Sequence, residues 1–235
     1  MGFIGDKEIF GLLCDDCHNS PTRLAEEQKE KINQQLANIR KHRIEKSDRL
    51  RNAISFVVPP LYRGAHIYKL PEIIRNKFFA LNPSEGLFLG GSVGVGKSFS
   101  LYAFVRYYIC KGNDVFFYRY EDFLTDLRAT FSRDSEIDER ELLNRLKTVR
   151  RLFIDDVGTT TGLNAESDFS LRTLFNVLDY RINYCLPTFL STNKTVEELA
   201  KSFDKRIYSR IAGSCVVLNL SGKDKRLSNQ TGRTK

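Results

Sequence analysis

The chain has 235 residues, of which 41% are hydrophobic and 28% charged, so one sizeable core is expected. No apolar run reaches the roughly eighteen residues of a membrane span, and the N-terminus lacks a signal-peptide pattern, which predicts a cytoplasmic protein with no membrane partner. The net charge of +8 favours an acidic partner, nucleic acid first, although a generally basic solvated surface fits the charge equally well.

Residues 1–20 form a short segment with a close cysteine pair, Cys14 and Cys17. A structural zinc site needs two further ligands, and none of the three histidines, His18, His42 and His66, has a convincing spacing for that role. We therefore expect a plain thiol pair. The alternative is zinc at Cys14 and Cys17, with the ligand set completed by a second chain.

Residues 21–55 predict one long helix, because they contain no glycine and no internal proline and are rich in Glu, Gln, Lys and Leu. Pro59 and Pro60 are expected to end it. Its apolar stripe consists of Leu24, Ile32, Leu36, Ile39 and Leu50. So thin a stripe buries little by itself, and we predict that this region docks onto a protein partner.

The rest of the chain, residues 56–235, alternates apolar runs of strand length with helical patterns. The runs are GLFLG, DVFFYRY, RRLFIDD, PTFLST and SCVVLNL. Strands separated by helices predict an α/β domain in which a five-stranded parallel sheet lies between helices. Ligands of such domains bind at the carboxyl ends of the strands.

A glycine-rich loop follows the first run. Residues 91–98 fit the pattern G-x-x-x-x-G-K-S at every fixed position, between a strand and a helix. The glycines let backbone N–H groups point at phosphate oxygens, and the helix adds the positive end of its dipole. The loop therefore predicts a nucleoside triphosphate site. Its expected contacts are Gly91, Gly94, Val95, Gly96, Lys97 and Ser98. We expect Lys97 on an exposed part of the loop, reaching the β- and γ-phosphates, and the Ser98 hydroxyl on Mg²⁺.

Two further runs end in polar residues that suit hydrolysis. In RRLFIDDVG, Asp155 is placed to hold the Mg²⁺ shell, and Asp156 to orient or deprotonate an attacking water. Asn193 follows the run PTFLST at the same sheet edge, where its amide can hold the γ-phosphate and that water. The stretch NKTV resembles the guanine-reading motif N-K-x-D, but Val196 replaces the aspartate, so we expect ATP rather than GTP.

Together these motifs resemble the DnaC/IstB branch of the AAA+ ATPases, the replicative-helicase loaders and their transposition relatives. The segments that carry the resemblance are GGSVGVGKSFS, LFIDDVG, LPTFLSTN, KRIYSRI and GKDKR, and they span roughly residues 59–226. The resemblance implies a P-loop AAA+ fold with no C-terminal lid domain and a helical N-terminal extension. It makes Asn193 the sensor-1 residue, Arg210 an arginine finger acting in trans within a homo-oligomer, and Arg226 a sensor-2-like arginine. From the residues alone, a solvated basic helix face formed by Arg206 and Arg210 is favoured over the finger.

The function implied by the resemblance is ATP-dependent loading of a hexameric replicative helicase onto single-stranded DNA, with weak ATPase activity before assembly. In such loaders a helical insertion touches the DNA, and here it would present Arg128, Arg133, Phe123 and Phe131. The alternative is that this region forms amphipathic helices that pack on the sheet, and this alternative suits Phe123 better. Two other functions stay open: an IstB-type transposition helper acting on duplex DNA, and a nucleotide-gated adaptor that hydrolyses little. The adaptor stays open because Asp156 stands where most AAA+ proteins have glutamate.

Overall fold

The computed structural model describes residues 21–130, 138–158, 168–194, 198 and 205–225, and divides the chain into two units, Met1–Asn52 and Ala53–Lys235. Within those ranges, no helix is long and apolar enough to cross a membrane. No group of three His, Cys, Asp or Glu side chains that could hold a metal ion occurs there either. Cys14 and Cys17 lie outside the described residues, so the choice between a thiol pair and zinc stays a prediction.

The long helix α1 runs from Pro21 to Val57, two residues beyond the predicted end. It stops two residues before Pro59, whose ring is incompatible with a continuing helix interior. Ile32, Leu36 and Ile39 of the apolar stripe are all exposed. The helix therefore gains little stability from burial of its own stripe.

Six helices and five strands follow α1 in the described residues, with 3₁₀ turns at Pro60–Tyr62 and Ile67–Lys69. The helices are α2 (Glu72–Phe79), α3 (Lys97–Cys110), α4 (Tyr120–Ala129), α5 (Glu139–Thr148), α6 (Asp168–Asn183) and α7 (Lys205–Ser214). The strands are β1 (Gly86–Gly91), β2 (Val115–Arg119), β3 (Arg151–Asp155), β4 (Thr188–Ser191) and β5 (Cys215–Leu220).

All five strands are parallel, in the order β2-β3-β4-β1-β5. In the register of the central strands, Phe189 of β4 lies beside Leu87 of β1 on one side and Phe153 of β3 on the other. The predicted α/β fold with a five-stranded parallel sheet is thus confirmed. Because the strands are parallel, the residues that follow β1, β3 and β4 meet at one edge of the sheet.

One face of the sheet is covered by α4 to α7. The buried residues of this face include Phe88, Leu152, Ile154 and Leu190 from the strands and Tyr120, Phe123, Leu124, Leu127, Leu146, Leu174 and Ile211 from the helices. Phe123 is only 2% exposed, so it cannot stack on DNA bases, and the packing alternative is correct for this residue. Arg128 is exposed at the end of α4, whereas Phe131 and Arg133 lie outside the described residues.

The opposite face is packed by aromatic rings from α2 and α3. Phe78 and Phe104 stack with ring centroids 4.3 Å apart, and Phe153 stacks on Phe189 at 4.6 Å. Phe104 lies 6.2 Å from Phe189, which joins the two pairs. Burial and ring geometry thus hold α3, the helix that follows the glycine-rich loop, against β3 and β4.

A buried arginine connects three segments at the amino end of the sheet. Arg181 of α6 is fully buried, and its guanidinium donates to the carbonyl oxygens of Val149 and Pro187 at 2.8 Å each. It also donates to Leu146 O at 2.9 Å and to Thr188 Oγ1 at 2.8 Å. Arg181 thereby ties the end of α5 to the segments that enter β3 and β4.

Replacing Arg181 by methionine should lower the free energy of unfolding by about 3 kcal/mol or more, because several buried carbonyl oxygens lose their donor. Urea unfolding followed by circular dichroism measures this loss. The matched control is Arg172→Met in the same helix, where the side chain is exposed and the expected change is within about 0.5 kcal/mol. Equal losses in the two variants would contradict the structural role of Arg181.

Candidate functional site

The glycine-rich loop has a backbone that glycine alone adopts easily. Gly91, Gly94 and Gly96 have φ values of +135°, +78° and +105°. At Gly91 a side chain would also collide with the backbone, since an added Cβ would lie 2.1 Å from the Leu220 carbonyl oxygen. Gly96 precedes α3 with no side-chain cap, so the first N–H groups of that helix face the loop. This arrangement suits a bound phosphate.

Lys97 is buried rather than exposed, and the prediction of an exposed lysine was wrong. Its side chain is 4% exposed, and Nζ donates to Gly91 O and Ser92 O at 2.8 Å each. The physical reason is that the carbonyl oxygens of Gly91 and Ser92, at the start of the loop, point at the ammonium group and withdraw it from solvent. Lys97 therefore braces the loop as well as lining the adjacent cavity.

Asp155 is held at the carboxyl end of β3 by two hydroxyl groups. The Ser191 hydroxyl of β4 donates to Asp155 Oδ1, and Ser98 of α3 also hydrogen-bonds the carboxylate. Ser191 Oγ in turn accepts the backbone N–H of Asp156 at 3.0 Å. The structure thus brings together the two residues predicted to bind Mg²⁺, Ser98 and Asp155. It adds Ser191, which sequence reasoning read only as part of a motif.

Burial raises the pKa of Asp155 above its usual value of 3.8, and the nearby negative charge of Asp156 raises it further. The hydrogen bonds from Ser191 and Ser98 act in the opposite direction, because they stabilise the ionised carboxylate. A bound cation would remove the cost of burying this charge. Mg²⁺ takes one or two protein oxygen ligands and fills its remaining positions with water and phosphate, so the Ser98–Asp155 pair fits it.

Asp156 and Asn193 meet beside the cavity. Asn193 Nδ2 donates to Asp156 Oδ1 at 3.1 Å, so the carboxylate and the amide form one polar group. Asp156 has φ +59°, a conformation that aspartate tolerates better than most residues. The turn is held by Thr192, whose hydroxyl donates to Val157 O at 2.7 Å. Thr192 is thus a second residue, after Ser191, that supports the site and whose role the sequence motif did not indicate.

A cavity of about 520 Å³ lies over the loop, a size that suits a small ligand such as a nucleotide. The polar groups of its lining come from residues 93–100, Asp156, Asn193 and Lys225. The rest of the lining is mainly apolar and consists of Leu61, Tyr62, Lys69, Leu70, Pro71 and Ile74. Tyr62 stacks on Tyr102 of α3 with centroids 4.5 Å apart. The apolar wall was not predicted. Its signal in the sequence is PPLYRGAHIYKLPEII, an apolar segment with prolines at its turns.

Arg210 does not line this cavity. Its Nη2 lies 2.5 Å from Asp179 Oδ1 of α6, and its side chain is 43% exposed. The structure thus separates Arg210 from the loop and carboxylates of its own chain. That position is compatible with a finger acting on a neighbouring subunit and also with a structural ion pair. Arg226 lies outside the described residues.

Sequence comparisons relate the chain to known protein families. The family described as IstB-like ATP binding protein matches residues 72–232. The replicative helicase loader DnaC of Escherichia coli (strain K12) is 30% identical over 121 residues, 52% of this chain and 47% of that protein. The replicative helicase loader DnaI of Bacillus subtilis (strain 168) is 29% identical over 154 residues, 60% of this chain and 48% of that protein. The chain therefore aligns with about half the length of the curated relatives it matches.

Solved structures share the fold. The crystal structure of DnaI matches with a TM-score of 0.59 at 23% identity, covering 72% of this chain and 94% of that one. AMPPCP-bound DnaA from Aquifex aeolicus matches with a TM-score of 0.57 at 18% identity, covering 73% and 55%. At these identities the structural matches establish the fold alone.

The raised pKa of Asp155 predicts a pH effect on stability. From pH about 4 upwards, through the raised pKa, the folded chain holds a proton on Asp155 that the unfolded chain has released, so stability falls as pH rises. Asp155→Asn removes this titration. The free energy of unfolding of the unaltered chain, minus that of Asp155→Asn, should therefore decrease as pH rises, without added Mg²⁺. Asp114→Asn, at an exposed carboxylate, is the control. A difference that is constant or increases with pH would contradict the prediction.

Proposed function

Because the chain belongs to the family of IstB-like ATP binding proteins, we propose that it binds ATP with Mg²⁺, assembles into an oligomer and loads a hexameric replicative helicase onto single-stranded DNA. The observation that carries the ATPase part is the contact of Asp156 with Asn193 at 3.1 Å, in the cavity that the phosphate loop lines. The loader part is supported by the DnaC and DnaI relatives, both named as replicative helicase loaders.

In this proposal each residue of the site has a separate task. The N–H groups of residues 94–98 bind phosphate oxygens, and Lys97 adds positive charge beside them. Ser98 and Asp155 would hold Mg²⁺, which supplies charge neutralisation at the phosphates when bound. Asp156 accepts a proton from water or orients it, and Asn193 keeps that carboxylate in place. The apolar wall around Tyr62 would receive the nucleoside.

We assign a separate role to each predicted segment that follows the N-terminal cysteine segment, residues 1–20. Residues 21–55 dock onto a protein partner, and residues 56–235 bind and hydrolyse the nucleotide. Exposed Ile32, Leu36 and Ile39 on α1 support the docking role, because an uncovered apolar stripe gains stability when a partner covers it. Exposed Arg128 is the remaining described candidate for contact with single-stranded DNA.

The family match also favours a second candidate, the transposition helper that acts on duplex DNA. The two functions differ in the nucleic acid that stimulates ATP hydrolysis. Stimulation by single strands indicates the loader, and stimulation by duplex indicates the transposition helper. An adaptor with little hydrolysis would bind ATP and its partner without responding to either nucleic acid.

The direct test is a loading assay with the purified chain, the replicative helicase of the same cell and a closed circle of single-stranded DNA. We expect helicase on the circle only when the chain and ATP are both present. Lys97→Ala should abolish ATP binding and loading because the loop loses its ammonium group. Asp156→Asn should keep ATP binding and slow hydrolysis about a hundredfold or more, because a general base is lost.

Calorimetry with ATP and phosphate release by each variant accompany the loading assay. Circular dichroism checks that Lys97→Ala is folded, since Lys97 also braces the loop. If folded Lys97→Ala bound ATP as tightly as the unaltered chain, the nucleotide site would be misassigned. If the helicase reached the circle equally well without the chain, the loader function would be rejected.

Arg210 should act on the nucleotide of a neighbouring subunit. Arg210→Ala is expected to bind ATP normally and to lose about a thousandfold of the hydrolysis rate measured in the assembly, the lower end of what such arginines contribute in P-loop enzymes. Mixing it with Lys97→Ala subunits should restore part of the rate, because an intact site then faces an intact arginine. Phosphate release at a fixed total subunit concentration measures the recovery.

The control for this mixing experiment is Arg206→Ala, one helical turn away, which should retain most of the rate. Sedimentation velocity establishes that each variant still assembles. Full activity of Arg210→Ala would rule out the finger. Normal assembly without recovery on mixing would mean that Arg210 serves its own subunit, through the contact with Asp179 on α6.

A further inference from the structure

The segment after β5 returns to the phosphate loop. The backbone N–H of Lys225 donates to the carbonyl oxygen of Gly94 at 3.0 Å. The carboxylate of Asp224 lies against the same glycine, since a Cβ added to Gly94 would be 1.9 Å from Asp224 Oδ1. Gly94 therefore lacks a side chain for two reasons, its φ of +78° and the approach of Asp224. Together these contacts fix residues 224 and 225 on the loop.

The side chain of Lys225 lies along the loop towards α3. Its Nζ is 3.6 Å from the position that a Cβ on Gly96 would occupy, and Lys225 lines the same cavity as Lys97 and Ser98. In loops of this sequence pattern, the backbone N–H groups around Gly96 cradle the α- and β-phosphates. Lys225 thus places a second ammonium group beside that position, from a segment about 130 residues away in sequence.

We propose that Lys225 is a phosphate-binding residue of this site, acting in cis on the α- and β-phosphates of the nucleotide. This inference rests on the proposed nucleotide binding. Lys97 shares its ammonium group between two loop carbonyl oxygens, so a second cation strengthens the field at the phosphates. The field matters here because Asp224, Asp155 and Asp156 place negative charge around the loop. This assignment is separate from the sensor-2 role that the resemblance gives to Arg226. It concerns a different residue, and it rests on the contacts that Lys225 itself makes.

The test measures binding of ATP, ADP and adenosine to the full chain, adenosine by competition with a fluorescent ADP. Lys225→Ala should weaken ATP and ADP about tenfold or more and leave adenosine unchanged, because a charge-assisted contact to phosphate is lost. Lys225→Arg should restore most of the affinity, since the cation is kept. Lys223→Ala is the matched control: Lys223 is exposed in the same segment and does not line the cavity, so a change within about twofold is expected.

Each result distinguishes this inference from the proposed function. If Lys225→Ala bound ATP and ADP as tightly as the unaltered chain, while Lys97→Ala bound neither, the role of Lys225 would be rejected and the nucleotide site would stand. Equal weakening of adenosine would also reject it, because Lys225 would then shape the cavity rather than pair with phosphate. If the unaltered chain bound no nucleotide, the proposed function itself would fail.

Discussion

The buried guanidinium of Arg181 fixes the alignment on which the site depends. It donates to carbonyl oxygens just before β3 and β4, at Val149 and Pro187, and so ties the amino ends of the two strands to each other. At the carboxyl ends of the same strands, Ser191 donates to Asp155. Since a parallel pair has one register, an error at the arginine end would carry Asp155 away from Ser191. A polar contact far from the cavity thereby places its carboxylates.

The order of the strands explains how residues that are distant in the sequence form the site. Ser98 follows the loop after β1, Asp155 ends β3, and Asn193 follows β4, and these strands are neighbours in the sheet. Strand order brings Asp156 and Asn193, 37 positions apart in sequence, within hydrogen-bonding distance. The apolar wall is contributed by a different part of the chain, the turns before α2 and the first turn of α2, so the cavity joins two chemically distinct surfaces. A nucleotide, with an apolar base and a charged tail, matches such a division.

Much of this could be predicted from the sequence because the signals are local. The loop pattern and the run before Asp155 each lie within about ten residues, and alternating strands and helices predicted the parallel sheet. The errors and omissions concern contacts between distant segments. The burial of Lys97 depends on how the loop folds back, and the contact of Gly94 with Asp224 joins the loop after the first strand to the segment after the last. Neither of these contacts can be recognised from a single stretch of the sequence.

The backbone conformation of Asp156 limits which residues can occupy that position. With φ +59°, the turn after β3 accepts aspartate, asparagine or glycine far more readily than longer side chains. A change to the glutamate common among AAA+ proteins would add a methylene and also meet backbone strain. The short side chain of Asp156 therefore matches the backbone conformation of the turn that carries it. Asparagine keeps the turn without the charge, so a single substitution would remove the proposed catalytic carboxylate and retain the fold.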